Sequence, residues 1–193
     1  MDKIIRIGII GTAGRGENPL SKAHWAQMNS FCLNYILEQN YKNVDLCSGG
    51  AAWADHTAVN LFFKKTEFKK KITLFLPCNW DINKQKFIDN GSSKFWENPG
   101  KTANFYHEKF SMQISGSKNS SLHMLDYIIK NQDENKRIII GNGFHARNEM
   151  LANSIDELLA FTTSETEEPL DGGTLHTWKQ FTGKKKHITL RIK

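Results

Sequence analysis

Ser48-Gly49-Gly50 stands between a short apolar run, Val44 to Cys47, and a stretch in which apolar residues recur at Ala54, Ala58, Leu61 and Phe62. The run reads as a buried strand and the recurrence as one face of a helix. A strand-to-helix turn leaves backbone N–H groups unpaired at the helix N-terminus, where the dipole favours an anion. Glycines there let the backbone approach a phosphate closely. The chemistry expected is phosphate binding, although the same glycines suit a tight turn with no ligand. The arrangement recurs. Gly11-Thr12-Ala13-Gly14-Arg15-Gly16 follows the run Ile4 to Ile10, and Gly141-Asn142-Gly143 follows Lys136 to Ile140. Gly172-Gly173 opens a short helix through Phe181. Arg15 fits a phosphate through its planar fork, and equally fits the surface of a mobile loop.

Other chemistries find less support. The seven histidines form no metal-ligand spacing with cysteine or aspartate, so no metal is expected. Ser48 lacks the G-x-S-x-G frame of a hydrolase nucleophile. No complete G-x-G-x-x-G occurs, so a dinucleotide fingerprint is unsupported.

The elements that must position these residues alternate. Strands are expected at Ile4 to Ile10, Val44 to Cys47, Ile72 to Leu76, Lys136 to Ile140, Glu157 to Thr162 and His187 to Ile192. Helices are expected around Trp25, Met28, Phe31, Cys32, Tyr35 and Ile36, capped by Ser21 or Asn18, then after Gly50, over Ser121 to Ile129, over Phe144 to Asn153 and after Gly172. Strand–helix alternation predicts an α/β fold, a Rossmann-like parallel sheet with helices on both faces. Residues 79 to 120 break the rhythm. They are rich in Asn, Ser, Lys and Gly yet carry Trp80, Phe87, Phe95, Trp96, Phe105, Tyr106 and Phe110, too aromatic for a disordered linker. They are expected to form a structured insertion after the third strand, a lid or wall over the C-terminal edge of the sheet. Tyr106, His107 and Ser111 are its polar groups of interest.

The 193 residues suffice for one such domain. No apolar run reaches eighteen residues, which excludes a transmembrane helix, and the N-terminal apolar run reads as the first strand, not a signal segment. Cys32, Cys47 and Cys78 are odd in number and widely spaced, as buried thiols of a cytoplasmic protein would be. The net charge of +6 favours anionic partners. Lys69-Lys70-Lys71 and Lys184-Lys185-Lys186 each immediately precede an expected strand and read as solvated loop lysines, more than as a nucleic-acid groove.

SGGAAWADHTAV, the R-N pair Arg147-Asn148 and Gly173-Thr174-Leu175-His176-Thr177 together resemble the signatures of the SLOG superfamily. That superfamily includes the DNA-processing A (Smf) proteins and the LOG-type nucleotide hydrolases. The resemblance spans most of the chain outside residues 79 to 120 and lies nearer the small stand-alone R-N/G-T-x-x-T branch. It implies that Gly11, Thr12, Gly14 and Arg15 form one wall of a ligand cleft. Ser48, Gly49, Gly50, Asp55, Arg147, Asn148, Gly172, Gly173, Thr174 and Thr177 would form the rest. Thr177 stands where the hydrolases carry their catalytic glutamate, and Ala146 replaces the acid of the H-x-R segment His145 to Arg147. Glycosidic hydrolysis needs a carboxylate, for which Asp55, Glu149 and Asp171 are the candidates. The expected function is binding of a nucleotide or nucleotide-derived molecule without a further cofactor. The alternatives are N-glycosidic hydrolysis or transfer, and single-stranded DNA binding. By analogy with the superfamily, a homo-oligomer is expected.

Overall fold

The computed structural model describes residues 3–15, 19–170 and 172–191. Asn18, Gly16, Asp171 and Ile192 lie outside the described residues. Six strands form one parallel sheet in the order β6-β3-β2-β1-β7-β8, with β1 at Ile5–Gly11, β2 at Asn43–Ser48, β3 at Lys69–Leu76, β6 at Lys136–Ile140, β7 at Glu157–Thr162 and β8 at Lys184–Thr189. A separate hairpin pairs β4 (Trp80–Asp81) with β5 (Lys86–Phe87). The helices are α1 (Lys22–Glu38), α2 (His56–Phe63), α3 (Pro99–Ser115), α4 (Ser120–Lys130), α5 (Gly143–Ala152) and α6 (Gly172–Gln180). The Rossmann-like α/β expectation holds.

Period-two alternation divides the sheet. Ile7, Ile9, Leu46, Leu159 and Phe161 face α1 and α2, and Ile72, Leu74 and Leu76 continue that face toward α4. Ile10, Cys47, Phe75, Leu158 and Ala160 face α5 and α6. Both faces are covered, which is why these strands read as near-continuous apolar runs. Ser21 caps α1 in a capping box with His24, as expected for a hydroxyl that satisfies orphan N–H groups.

Three expectations need correction. The last strand spans Lys184–Thr189 and the third begins at Lys69, so both lysine runs lie inside strands. Their alkyl stems run along the sheet while the ammonium groups find partners. Lys184 Nζ donates to Glu157 Oε1 at 2.9 Å, Lys70 Nζ to the Leu61 carbonyl at 3.0 Å, and Lys185 Nζ lies 4.7 Å from the Trp178 ring. On β8, an edge strand, lysines also discourage further pairing. Second, the insertion holds the 17-residue helix α3. Its inward stripe is Thr102, Ala103, His107, Phe110 and Ser111, mostly too polar to register as a hydrophobic face. Third, Cys32 and Cys47 are buried free thiols, but Cys78 is only half-buried.

No helix among the described residues is long and apolar enough to cross a membrane.

Candidate functional site

Because every strand of the sheet is parallel, the turns after β1, β2, β3 and β6 open on one edge. The strand order reverses beside β1, where open α/β sheets bind ligands. Gly11 leaves β1 at φ +153°, where a Cβ would strike the Phe161 carbonyl. Thr12 N–H donates to that carbonyl at 2.8 Å, Ala54 N–H donates to the Thr12 carbonyl at 3.3 Å, and Gly14 N–H donates to Thr12 Oγ1 at 3.1 Å. Gly14, at φ +76°, leaves room for the Trp53 indole beneath it. Trp53 itself sits at φ +60°, an outlier for a bulky residue, held by its burial against Phe110 at 5.0 Å between centroids.

At the second turn the expected phosphate cradle already holds an anion from the chain. The Asp55 carboxylate accepts from the N–H groups of Ala51, at 3.4 Å, and Gly49. Gly50 N–H donates to Ser48 Oγ at 3.3 Å. Arg147, from the first turns of α5, reaches across the sheet edge and donates through Nη1 to Asp55 Oδ2 at 3.1 Å. Gly49 is the residue that admits this pair, since a Cβ there would fall on Arg147 Nη1 and 2.6 Å from Asp55 Oδ2. Burial pushes the Asp55 carboxyl up and the Arg147 guanidinium down, each opposed by its partner. Arginine does not release its proton in proteins, and its charge favours the ionised form of Asp55 against the burial that raises it.

One carboxylate faces two guanidinium groups. Arg15 packs over the Tyr106 and Phe144 rings, 5.1 Å from each centroid, and Arg147 lies 5.8 Å from the Phe144 centroid. The two cations are close enough for Arg15 to disfavour the charge of Arg147. Among the described residues, Asp55 is the ion-pair partner of Arg147 and Arg15 has none. Arg147 Nε is buried with no hydrogen-bond partner among the described residues. These groups line a narrow cleft, with free room of only about 10 Å³, together with Ala13, Gly50, Pro77 and Ala103.

Ala103 and Tyr106 of α3, within the insertion, line this cleft. His107 has a different task. Its Nε2–H donates to the Gly50 carbonyl at 2.9 Å, and its Nδ1 accepts from Ser121 Oγ, also at 2.9 Å. Ser111 Oγ lies 2.6 Å from Ser121 Oγ and completes the chain. Burial holds the His107 ring down at about 4, so it is neutral and latches α3 to the glycine turn instead of facing a ligand. Beside it, His56 opens α2 with both ring nitrogens buried and without a partner among the described residues.

The remaining residues implied by the resemblance lie elsewhere. Asn148 Nδ2 donates to the Gly173 carbonyl at 3.2 Å and so fastens α5 to α6, while Thr177 Oγ1 donates to the same carbonyl at 3.0 Å within α6. Gly172, Gly173 and Thr174 do not line the cleft. Glu149 is half-exposed and faces His176 at 3.9 Å. Phe144, Pro77 and Ala103 were not among the expected site residues. For Phe144 the signal was its place at the start of a helix after a glycine break, next to Arg147.

The chain is 35% identical over 182 residues to uncharacterized protein R261 of Acanthamoeba polyphaga mimivirus, covering 91% of this chain and 90% of that protein. No protein-family model matches the chain, and no solved structure matches it significantly.

Proposed function

The chain belongs to the family of the mimivirus protein R261, and we propose that it binds a nucleotide or nucleotide-derived molecule in the cleft at the C-terminal edge of its sheet. The observation that carries this reading is the surplus of positive charge there. Among the described residues Arg15 and Arg147 face one carboxylate, and the buried Nε of Arg147 has no partner there. A buried donor left without a partner is costly, and an anion in the cleft relieves both the unmet donor and the like-charge repulsion. The ligand phosphate meets the two arginines, since Asp55 occupies the turn's own N–H groups. Tyr106 and Phe144, which sandwich Arg15, supply flat apolar faces for a base. The SLOG resemblance supports the same reading, because it falls on the Gly49 turn and on Arg147.

Binding without turnover is favoured over hydrolysis. Thr177 donates to the Gly173 carbonyl on α6, Asp55 is tied to Arg147, and Glu149 faces His176 outside the cleft. The lysine runs, read as solvated lysines more than as a nucleic-acid groove, lie at the N-terminal ends of β3 and β8, on the edge opposite the cleft.

Arg15→Ala tests the proposal without disturbing the core, because Arg15 is exposed at the rim. Thermal shift and calorimetry with nucleoside monophosphates should show binding by the wild type. The variant should bind about tenfold more weakly, the worth of one charge-assisted contact at about 1.5 kcal/mol. Equal affinities, or no binding by the wild type, would remove the cleft from consideration. Chromatography of the same mixtures should show no released base.

A further inference from the structure

Beside the arginine cleft runs a wider groove of about 540 Å³, lined by Pro77, Asn79, Ile88, Trp96, Asn142 and Phe144 among others. Pro77 and Phe144 line both spaces, so the two are continuous. The groove lies between the hairpin-to-α3 segment of the insertion and the β6–α5 turn. Resting on the nucleotide reading above, we propose that this groove is a second subsite, which takes the second ring of a ligand built as two nucleosides joined through a phosphate bridge.

Three features point to a neutral ring. Trp96 is 75% exposed and Ile88 and Ile140 are 45% and 46% exposed, so an indole and two aliphatic chains stand open to water on one groove. A base stacks on such an indole whatever its identity. Second, the charge differs from that of the cleft. The carboxylate at the groove, Glu97, is balanced by Lys94 at 2.9 Å and accepts from Ser92 at 3.2 Å. The anionic bridge thus belongs with Arg15 and Arg147, and an uncharged ring with Trp96. Third, Asn79 and Asn142 line the groove with side-chain amides that hydrogen-bond to no other described residue. Each offers a donor and an acceptor of the kind a base edge requires. The cleft, with room of about 10 Å³, is far smaller than a ligand site and admits no more than a small group at its arginines, so the adjoining groove of about 540 Å³ must provide the room.

The experiment compares AMP, ADP-ribose and diadenosine diphosphate by calorimetry. ADP-ribose keeps the bridge and the second ribose and lacks the second base. In the wild type the dinucleotide should bind at least fivefold more tightly than ADP-ribose. Trp96→Ala should erase that advantage while leaving AMP affinity unchanged, and Trp96→Phe should restore most of it. Trp96 is exposed, so its replacement leaves the fold intact. AMP binding with no dinucleotide advantage, or an advantage that survives in Trp96→Ala, would overturn the second subsite alone. Failure of the wild type to bind all three would overturn the nucleotide reading together with it.

Discussion

Gly49→Ala is expected to lower the unfolding free energy by about 3–5 kcal/mol, as large a loss as removing Arg147 itself. The added methyl has no room of its own. It would fall on Arg147 Nη1 and 2.6 Å from Asp55 Oδ2. The guanidinium must therefore leave, and Asp55, 4% exposed, stays behind as a buried charge without its partner. Breaking a buried pair by removing one member costs far more than the pair contributes over an apolar substitute. Urea unfolding of Gly49→Ala, Arg147→Ala and the double variant measures this. Strong non-additivity is expected, because once Arg147 is truncated the Gly49 methyl enters the space it vacated. If the two losses simply add, the glycine serves something other than the ion pair.

The second large effect is acid lability. The unfolded chain takes up a proton on each histidine near pH 6.5, whereas burial holds folded His107 down at about 4 and lowers His56 well below its ordinary value. Below pH 6.5 the unfolded state thus binds protons that the folded state refuses. Stability is fully present above that pH and is lost progressively as pH falls toward about 4. His107 alone accounts for about 3 kcal/mol across this window, since each pH unit between its unfolded and folded titrations is worth about 1.4 kcal/mol, and His56 adds to it. The rings lie 5.7 Å apart, with Trp25 and Phe110 also packed on His56, so protonating one discourages the other. Asp55, raised by burial, opposes this trend only nearer the carboxylate range. Urea unfolding followed from neutral pH down through the window should show the decline. His56→Leu should flatten it and raise stability at the acid end, since it removes two buried ring nitrogens that have no partner among the described residues. A wild type equally stable across the window would show that both rings are charged or solvated in the folded chain.

Much of the architecture is legible in residue order. Lys136 to Ile140 and Glu157 to Thr162 are strands with the expected bounds. Glu157 to Thr162 is legible because a strand buried on both faces must be apolar at nearly every position, and the edge strand Lys136 to Ile140 through its β-branched Ile138 to Ile140. The first helix and its Ser21 cap are legible for a similarly local reason, since a hydroxyl three residues ahead of a partner and a 3.6-residue stripe both act within one turn. Helix α3 is not, although Asn98-Pro99 at its start and Gly116 at its end are the punctuation of a helix. Its buried stripe is polar, and a polar stripe is stable only where another element satisfies it. Ser121 and the Gly50 carbonyl do so, from 14 and 57 positions away.

The site divides the same way. Residue type and local spacing establish that glycine turns end several strands and that Arg15, Asp55 and Arg147 are available to them, because that information is carried within a few neighbouring positions. What the Gly49 turn holds is settled by packing. Asp55 and Arg147 meet across 92 positions of chain, and whether a turn's N–H groups greet a ligand or a carboxylate of the same protein depends on which side chain the packed sheet edge delivers to them. Packing likewise separates Arg147 from its neighbour Asn148. Consecutive residues on a helix point about 100° apart, so one side chain enters the cleft while the other clamps α6.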